Sequence, residues 1–186
     1  MSEEQIIEQI LNGNIQFFDN LVEKYQSMVF RTAMGFVHSK EDAEDITQDV
    51  FIKAFQSINS FRKQAGFQTW LYRITVNTSL NHLNRNKKNF FLQLSESVSE
   101  KITQFKSGYR NPEQEAIENQ KDNIIQDALN SLPEKQKIAF ILSKYDELSQ
   151  KQIAEIINCS EGSVEQYLQR AKLNLQKKIS RTLFYE

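Results

Sequence analysis

Asp42, Asp45 and Asp49 stand three and four residues apart, with Gln48 beside them. On a helix, at about 100° per residue, that spacing gathers their carboxylates into one stripe. Such a group suggests acid chemistry, a bound cation or a docking surface. No histidine or second carboxylate cluster comes with it in the sequence, and the spacing suits a flat exposed face. Docking of another protein is the better reading. A second stripe has the opposite character. Arg73, Asn77, Asn81 and Arg85 recur every four residues, with Asn84 and Lys88 on the adjacent ridge. Arg and Lys neutralise phosphates, and Asn can both donate to and accept from base edges. Tyr72, Val76, Leu80 and Leu83 fall on the other side, where they can enter a core. Just upstream, Phe61, Arg62, Lys63 and Phe67 mix aromatic and basic groups, a combination suited to an unstacked single strand. Trp70 reads as a core aromatic.

Charge along the chain supports this division. Net charge is −1, but from Met1 to Asp49 ten acids face three bases, and from Val50 to Ser95 there is no acid beside seven Lys and Arg. A merely solvated surface would intersperse the signs. An acidic block followed by an acid-free basic one suggests two different partners, the second a polyanion.

A third pattern lies near the C-terminus, in SQKQIAEIINCSEGSVEQYLQRAK. A helix-turn-helix needs a small residue where its helices cross, and Ala154 supplies it. Its turn needs a residue that tolerates left-handed backbone, which Asn158 does next best after glycine. Val164 and Leu168 then anchor the second helix. Ser163, Gln166, Gln169 and Arg170 are left to face a major groove, with Lys172 available for phosphate. An ordinary helical hairpin would satisfy the same pattern.

The elements that must position these residues are helical. Five Gly and two Pro in 186 residues leave few breakers, and 39% hydrophobic residues suffice for a modest core. Helical spacing predicts one or two helices over Ile15–Val37. Ser39 then caps a helix over Lys40–Ser57, Asn59–Gln68 forms a loop around Gly66, and a long helix covers Thr69–Lys88. Ser95–Pro112 is polar and aperiodic and reads as a linker. Periodicity resumes at Glu113. Pro133 and Glu134 open another helix, Ser149 and Gln152 form a capping box for a short one, and Ser160 caps a last helix reaching about Thr182. The expected fold is all-α: two small helical domains, residues 1–94 and 113–186, joined by a linker over 95–112.

Other classes of function find little support. No run approaches the roughly 18 apolar residues of a membrane span, so no membrane insertion is expected. The acidic, amphipathic N-terminus is unlike a signal peptide. Cys159 is the sole cysteine, so no internal disulfide forms and a reducing cytoplasm fits. With two histidines and no nucleophile–base pair or phosphate loop, neither a metal, a cofactor nor a catalytic site is expected.

Together these segments resemble a known family. DAEDITQDVFIKAFQSINSFRKQAGFQTWLYRITVNTSLNHL is similar to region 2 of the extracytoplasmic-function (ECF) sigma factors of the sigma-70 family, and LPEKQKIAFILSKYDELSQKQIAEIINCSEGSVEQYLQRAK to their region 4. The resemblance covers nearly the whole chain, and the FRxxAxFxTWLYRI run is its most specific part. It implies a subunit that directs RNA polymerase to promoters. Asp42, Asp45, Gln48 and Asp49 would contact the β′ clamp helices of core RNA polymerase. Phe61 to Gln68, including Arg62, Lys63 and Phe67, would capture a flipped −10 base, and Tyr72, Arg73, Asn77 and Asn81 would bind the melted strand beside it. Region 4 would enter the −35 major groove, while the linker threads toward the active-site channel, past the β subunit. Many relatives are held by an anti-sigma factor, which is expected here too. This chain departs from the pattern at Glu165, Gln166 and Tyr167, where relatives often carry Lys or Arg. A helix-turn-helix regulator acting without polymerase remains the alternative. It would not need the acidic face or the aromatic–basic loop.

Overall fold

The computed structural model describes residues 1–61, 65–96 and 124–184, with the side chains of 87–96 and 183–184 outside the description. Every regular element among them is helical. Helix α1 (Glu3–Leu11) starts at a capping box that the sequence reading did not pick out: Ser2 Oγ accepts from Gln5 N while the Gln5 side chain accepts from Ser2 N. Of the one or two helices expected over Ile15–Val37, a 3₁₀ turn at Ile15–Phe17 and a single α-helix, α2 (Phe18–Val37), form. Its Leu21, Tyr25, Met28, Val29, Thr32, Ala33 and Phe36 recur at helical spacing, and all are buried. His38 ends it in left-handed backbone (φ 54°). Ser39 then caps α3 (Lys40–Ser57) by accepting from Asp42 N.

Helix α4 runs over Phe67–Glu96, longer at both ends than the expected Thr69–Lys88, and roughly 45 Å long at 1.5 Å per residue. The expected loop is correspondingly shorter. A 3₁₀ turn occupies Ile58–Ser60, and Phe67 and Gln68 belong to α4. Arg62 and Lys63 lie outside the described residues. So do most of the expected linker, 95–112, and the stretch from Glu113 to 123.

The C-terminal bundle comprises a helical segment 124–130 (α5), α6 (Glu134–Lys144), α7 (Gln150–Ile157) and α8 (Glu161–Phe184). The Ser149–Gln152 capping box forms as expected. Asn158 takes the left-handed conformation (φ 53°, ψ 60°) foreseen for the turn, and Ser160 Oγ accepts from Ser163 N to start α8. Ala154 and Val164 are buried where α7 and α8 cross, and Ala171 and Leu175 pack α8 on Ala128, Leu129 and Leu132.

The two bundles also meet each other. One apolar cluster continues from Leu21, Val29 and Phe36 of the N-terminal bundle to Ile138, Ile141 and Ile153 of the C-terminal one. Gly35 makes this approach possible. A Cβ built there would stand 2.8 Å from Ile141 Cγ2 and 3.0 Å from Tyr145 Cγ, so α2 and α6 pass too closely for a side chain between them.

Candidate nucleic-acid and protein interfaces

The α3 stripe is mostly exposed, because Ala43, Ile46, Val50 and Ala54 turn the opposite face into the core. Asp45, Gln48 and Asp49 lie open to solvent. Asp42 is different. Its Oδ1 stands 3.2 Å from Nε2 of His82 on α4, so a histidine does accompany this carboxylate. The sequence hid it because the partner is forty residues away on another helix. Two groups make an ion pair or hydrogen bond, not a metal site, and no cluster of three metal-ligating side chains occurs among the described residues.

On α4 the expected division into polar and apolar faces holds in part. Asn77, Asn81, Asn84 and Arg85 are exposed, and Leu71, Thr75, Val76 and Ser79 are buried. The hydroxyls of Thr75 and Ser79 donate to carbonyls one turn earlier, which satisfies them inside the core. Lys88 has no described side chain. Two residues expected to contact the strand are buried in this structure. Phe67 is 2% exposed, against Tyr25, Phe61 and Trp70, and Tyr72 is 3% exposed. Phe67 sits on the buried face of α4's first turn, so its ring fills the bundle rather than a loop tip. Tyr72 was assigned to the apolar side by its phase. Burial, with the Asp146 charge adding to it, pushes its phenol up to about 12. Phe61 remains half-exposed, stacked edge-on to Phe67 with centroids 5.7 Å apart, and Trp70 packs against both as a core aromatic.

Arg73 is half-buried, and not by its own bundle. Its Nη2 donates to Glu155 O at 2.6 Å and its Nε to Ile156 O at 3.2 Å. These carbonyls close the last turn of α7, where helix geometry leaves acceptors without intrahelical donors and a partial negative charge. Arg73 thus caps the first helix of the helix-turn-helix. A cleft of about 590 Å³ lies alongside, lined by Arg73, Val76 and Asn77 on α4 and by Ile156, Ile157 and Asn158 opposite.

Asp146, after α6, makes the second junction, and nothing in the sequence reading singled it out. Its side chain is 0% exposed; Oδ1 accepts from Arg31 Nε at 3.0 Å and Oδ2 lies 2.8 Å from Thr32 Oγ1. Burial raises its carboxyl above the ordinary value, against the opposing donation from Thr32 and Arg31. One signal was available: Thr32 is a polar residue in the core phase of α2, between Met28 and Phe36.

On α8, Gln166, Gln169, Arg170 and Lys172 are exposed, while Val164 is buried and Leu168 half-buried. Ser163 is half-buried, its hydroxyl 2.9 Å from that of Ser160, so it serves the helix start first. Gln169 donates to Glu165 at 3.3 Å, which draws that carboxylate along the helix. At 100° per residue, Gln166 and Arg170 share the outermost face with Ser163, and Lys172 lies on the flank toward α6. The geometry of the described residues defines a class: two helical bundles, the C-terminal one carrying a helix-turn-helix.

Comparison with known proteins is more specific. Residues 21–89 match the family model for sigma-70 region 2, and residues 122–175 that for sigma-70 region 4. The chain is 33% identical over 182 residues to the ECF RNA polymerase sigma-E factor of Haemophilus influenzae, covering 96% of both proteins. It is 32% identical over 184 residues to that of Escherichia coli strain K12, covering 96% of this chain and 95% of the relative. The fold is similar to that of CnrH in complex with the cytosolic domain of CnrY (TM-score 0.64, 20% identity, 95% of this chain and 96% of that one). It is also similar to RpoE in complex with the anti-sigma factor NepR from Bartonella quintana (TM-score 0.57, 23% identity, 88% and 96%). The chain belongs to the ECF group of the sigma-70 family and is an RNA polymerase sigma factor of transcription initiation. Among the described residues no helix is long and apolar enough to cross a membrane.

Proposed function

We propose that this chain docks on core RNA polymerase through Asp45, Gln48 and Asp49 of α3, with Asp42 steadied by His82. It holds the opened −10 strand along Arg73, Asn77 and Asn81 of α4, with Phe61 at the entrance, and places Gln166, Gln169 and Arg170 in the −35 major groove. Arg62, Lys63 and Lys172 would add phosphate contacts. The observation that carries the reading is the segregation of two exposed faces on one bundle, carboxylates on α3 and Asn with Arg on α4. Extruding a base costs a few kcal/mol, which stacking on an aromatic and phosphate neutralisation can offset. In this reading the chain contributes no catalytic centre, works in the cytoplasm and divides into the domains 1–94 and 113–186 with 95–112 between. An anti-sigma factor is an expected partner, as NepR is for the Bartonella protein.

Charge reversal at Asp45 and Asp49 together tests the docking face. Gel filtration or anisotropy with purified core enzyme should show at least a tenfold loss of affinity, with helicity by circular dichroism unchanged. Undiminished binding would refute that role for α3.

A further inference from the structure

Tyr25, Phe67, Trp70 and Phe61 form one pile of rings beside the start of α4, and its outer end meets solvent. Phe61 and Trp70 are half-exposed with centroids 5.4 Å apart, and they rest on Phe67 at 5.7 and 5.4 Å. Phe67, 2% exposed, packs in turn on Tyr25 of α2, at 5.6 Å and 47° between the planes. These are the separations of paired aromatics, and in a close-packed pile the tilt of one ring limits the tilt of the next. The innermost ring is also tied to another helix. Tyr25 Oη donates to Glu3 Oε2 of α1. Lys24 Nζ donates to the same oxygen at 2.7 Å and stands 5.0 Å from the centre of the Tyr25 ring. Ile7 and Ile10 bury one face of α1 in the same core, which gives the carboxylate a fixed base.

An aromatic ring turns about its Cβ–Cγ bond in a broad well unless something beyond packing restrains it. The bond to Glu3 supplies that restraint at Tyr25. Burial, with the bond to Glu3 adding to it, pushes the phenol up to about 12, so the donor proton stays in place at neutral pH. Tyr25 is 7% exposed under Phe67 and cannot itself touch a bound strand. Its influence has to travel through Phe67 to Phe61, the ring placed above at the entrance to the strand face. We propose that Tyr25, held by Glu3, is a positioning residue for strand capture: α1 fixes the tilt of the inner ring and, through Phe67, the pose in which Phe61 receives an unstacked base. The proposal rests on the assignment of Phe61 to the strand. It gives the N-terminal helix, outside both exposed faces described above, a part in opening the promoter.

Tyr25→Phe keeps the ring and loses the tether, Glu3→Ala removes the acceptor, and Glu3→Gln keeps an acceptor oxygen without the charge. Each full-length variant, its helicity checked by circular dichroism, is assembled with purified core enzyme. Core affinity is read by anisotropy, and opening of a promoter fragment that the wild-type holoenzyme opens is read by permanganate footprinting. Trp70, the sole tryptophan, reports on the pile directly through acrylamide quenching of the free chain. Tyr25→Phe and Glu3→Ala should each slow opening about fivefold, the worth of one hydrogen bond, with core affinity unchanged and Trp70 more readily quenched. Glu3→Gln should restore most of the rate, and Glu3→Ala combined with Tyr25→Phe should be no slower than either alone. Wild-type opening in both single variants overturns the proposal. So does a parallel loss of core affinity, an unmoved Trp70 signal, a Glu3→Gln chain as slow as Glu3→Ala, or single effects that multiply in the double variant. Phe61→Leu tests the underlying reading separately. Unaltered opening there removes Phe61 from the strand and the proposal with it, whereas slow opening there beside wild-type opening in Tyr25→Phe refutes the tether alone.

Discussion

The hydroxyl of Thr32 has one proton and two acceptors within reach, Asp146 Oδ2 at 2.8 Å and the Met28 carbonyl at 2.9 Å. The first belongs to the other bundle and the second to its own helix. While Asp146 is ionised the proton is best spent on the carboxylate, a charge-assisted bond. Thr32→Val keeps the shape and removes the donor, leaving a carboxylate oxygen buried without it at a cost of about 1–3 kcal/mol. The packing of the two bundles on each other should weaken accordingly while the N-terminal bundle keeps its helicity. Sedimentation velocity would show a slower, more extended particle, and Thr32→Ser should restore the wild-type coefficient. An unchanged coefficient in Thr32→Val would mean that Arg31 alone suffices.

The same geometry sets the sign of a pH effect. Burial raises the Asp146 carboxyl above its ordinary value of 3.8, and a protonated Asp146 can donate to Thr32 while Thr32 donates to Met28. The packed state therefore holds the proton more tightly than a separated one with a solvated carboxyl. Packing of the bundles then gains as pH falls through the window from the raised value down to 3.8, and loses that gain as pH rises through it. Arg31 and Tyr72, the other ionisable groups facing Asp146, stay in one form there, both being raised. Acidification from pH 7 toward 4.5 should leave the chain as compact or more so by scattering. Expansion without loss of helicity would reverse the assigned direction.

Asn77 is the sharpest test of the strand-binding face. It is exposed on α4 and, among described side chains, serves no bond in the core. Asn77→Ala should slow promoter opening, read by permanganate footprinting, far more than it lowers affinity for core enzyme. One lost base-edge pair accounts for about 1–3 kcal/mol, or about five- to 150-fold. Equal losses in both assays, or none in either, would remove it from the interface.

Asn158 tests the turn. Its φ of 53° costs most side chains about 1–2 kcal/mol, which Asn escapes by local polar contacts and Gly by lacking Cβ. Asn158→Ala should lower the melting temperature by several degrees, and Asn158→Gly should restore most of it. This position was legible in sequence because the constraint is local. Capping at Ser39, Ser149 and Ser160 was legible for the same reason, as were the α3 and α8 faces. The Asp42–His82 pair, the Arg73 cap and the Asp146 junction were not. They join groups 40, 82–83 and 114–115 residues apart, and periodicity within one helix carries no information about which other helix packs on it. Phe67 and Tyr72 are both buried: Phe67 reads as a loop aromatic from its type and its basic neighbours, and Tyr72 is carried over from the family resemblance although helical phase places it on the apolar side.

The recognition helix separates two kinds of contact that salt can distinguish. Arg170 is an exposed cation on the outer face of α8, beside Gln166, whose amide can address a base edge. Glu165, which would repel phosphate, instead accepts from Gln169 one turn on. Arg170→Ala should therefore weaken binding to any duplex, and lower the slope of log affinity against log salt by about one. Gln166→Ala should leave that slope alone and relax the base preference at one −35 position, read by selection from a randomised duplex pool. If Gln166→Ala changed the slope and Arg170→Ala the preference, the roles would be exchanged. If neither variant changed binding, the groove-facing side of α8 would lie elsewhere than the Gln166–Arg170 face.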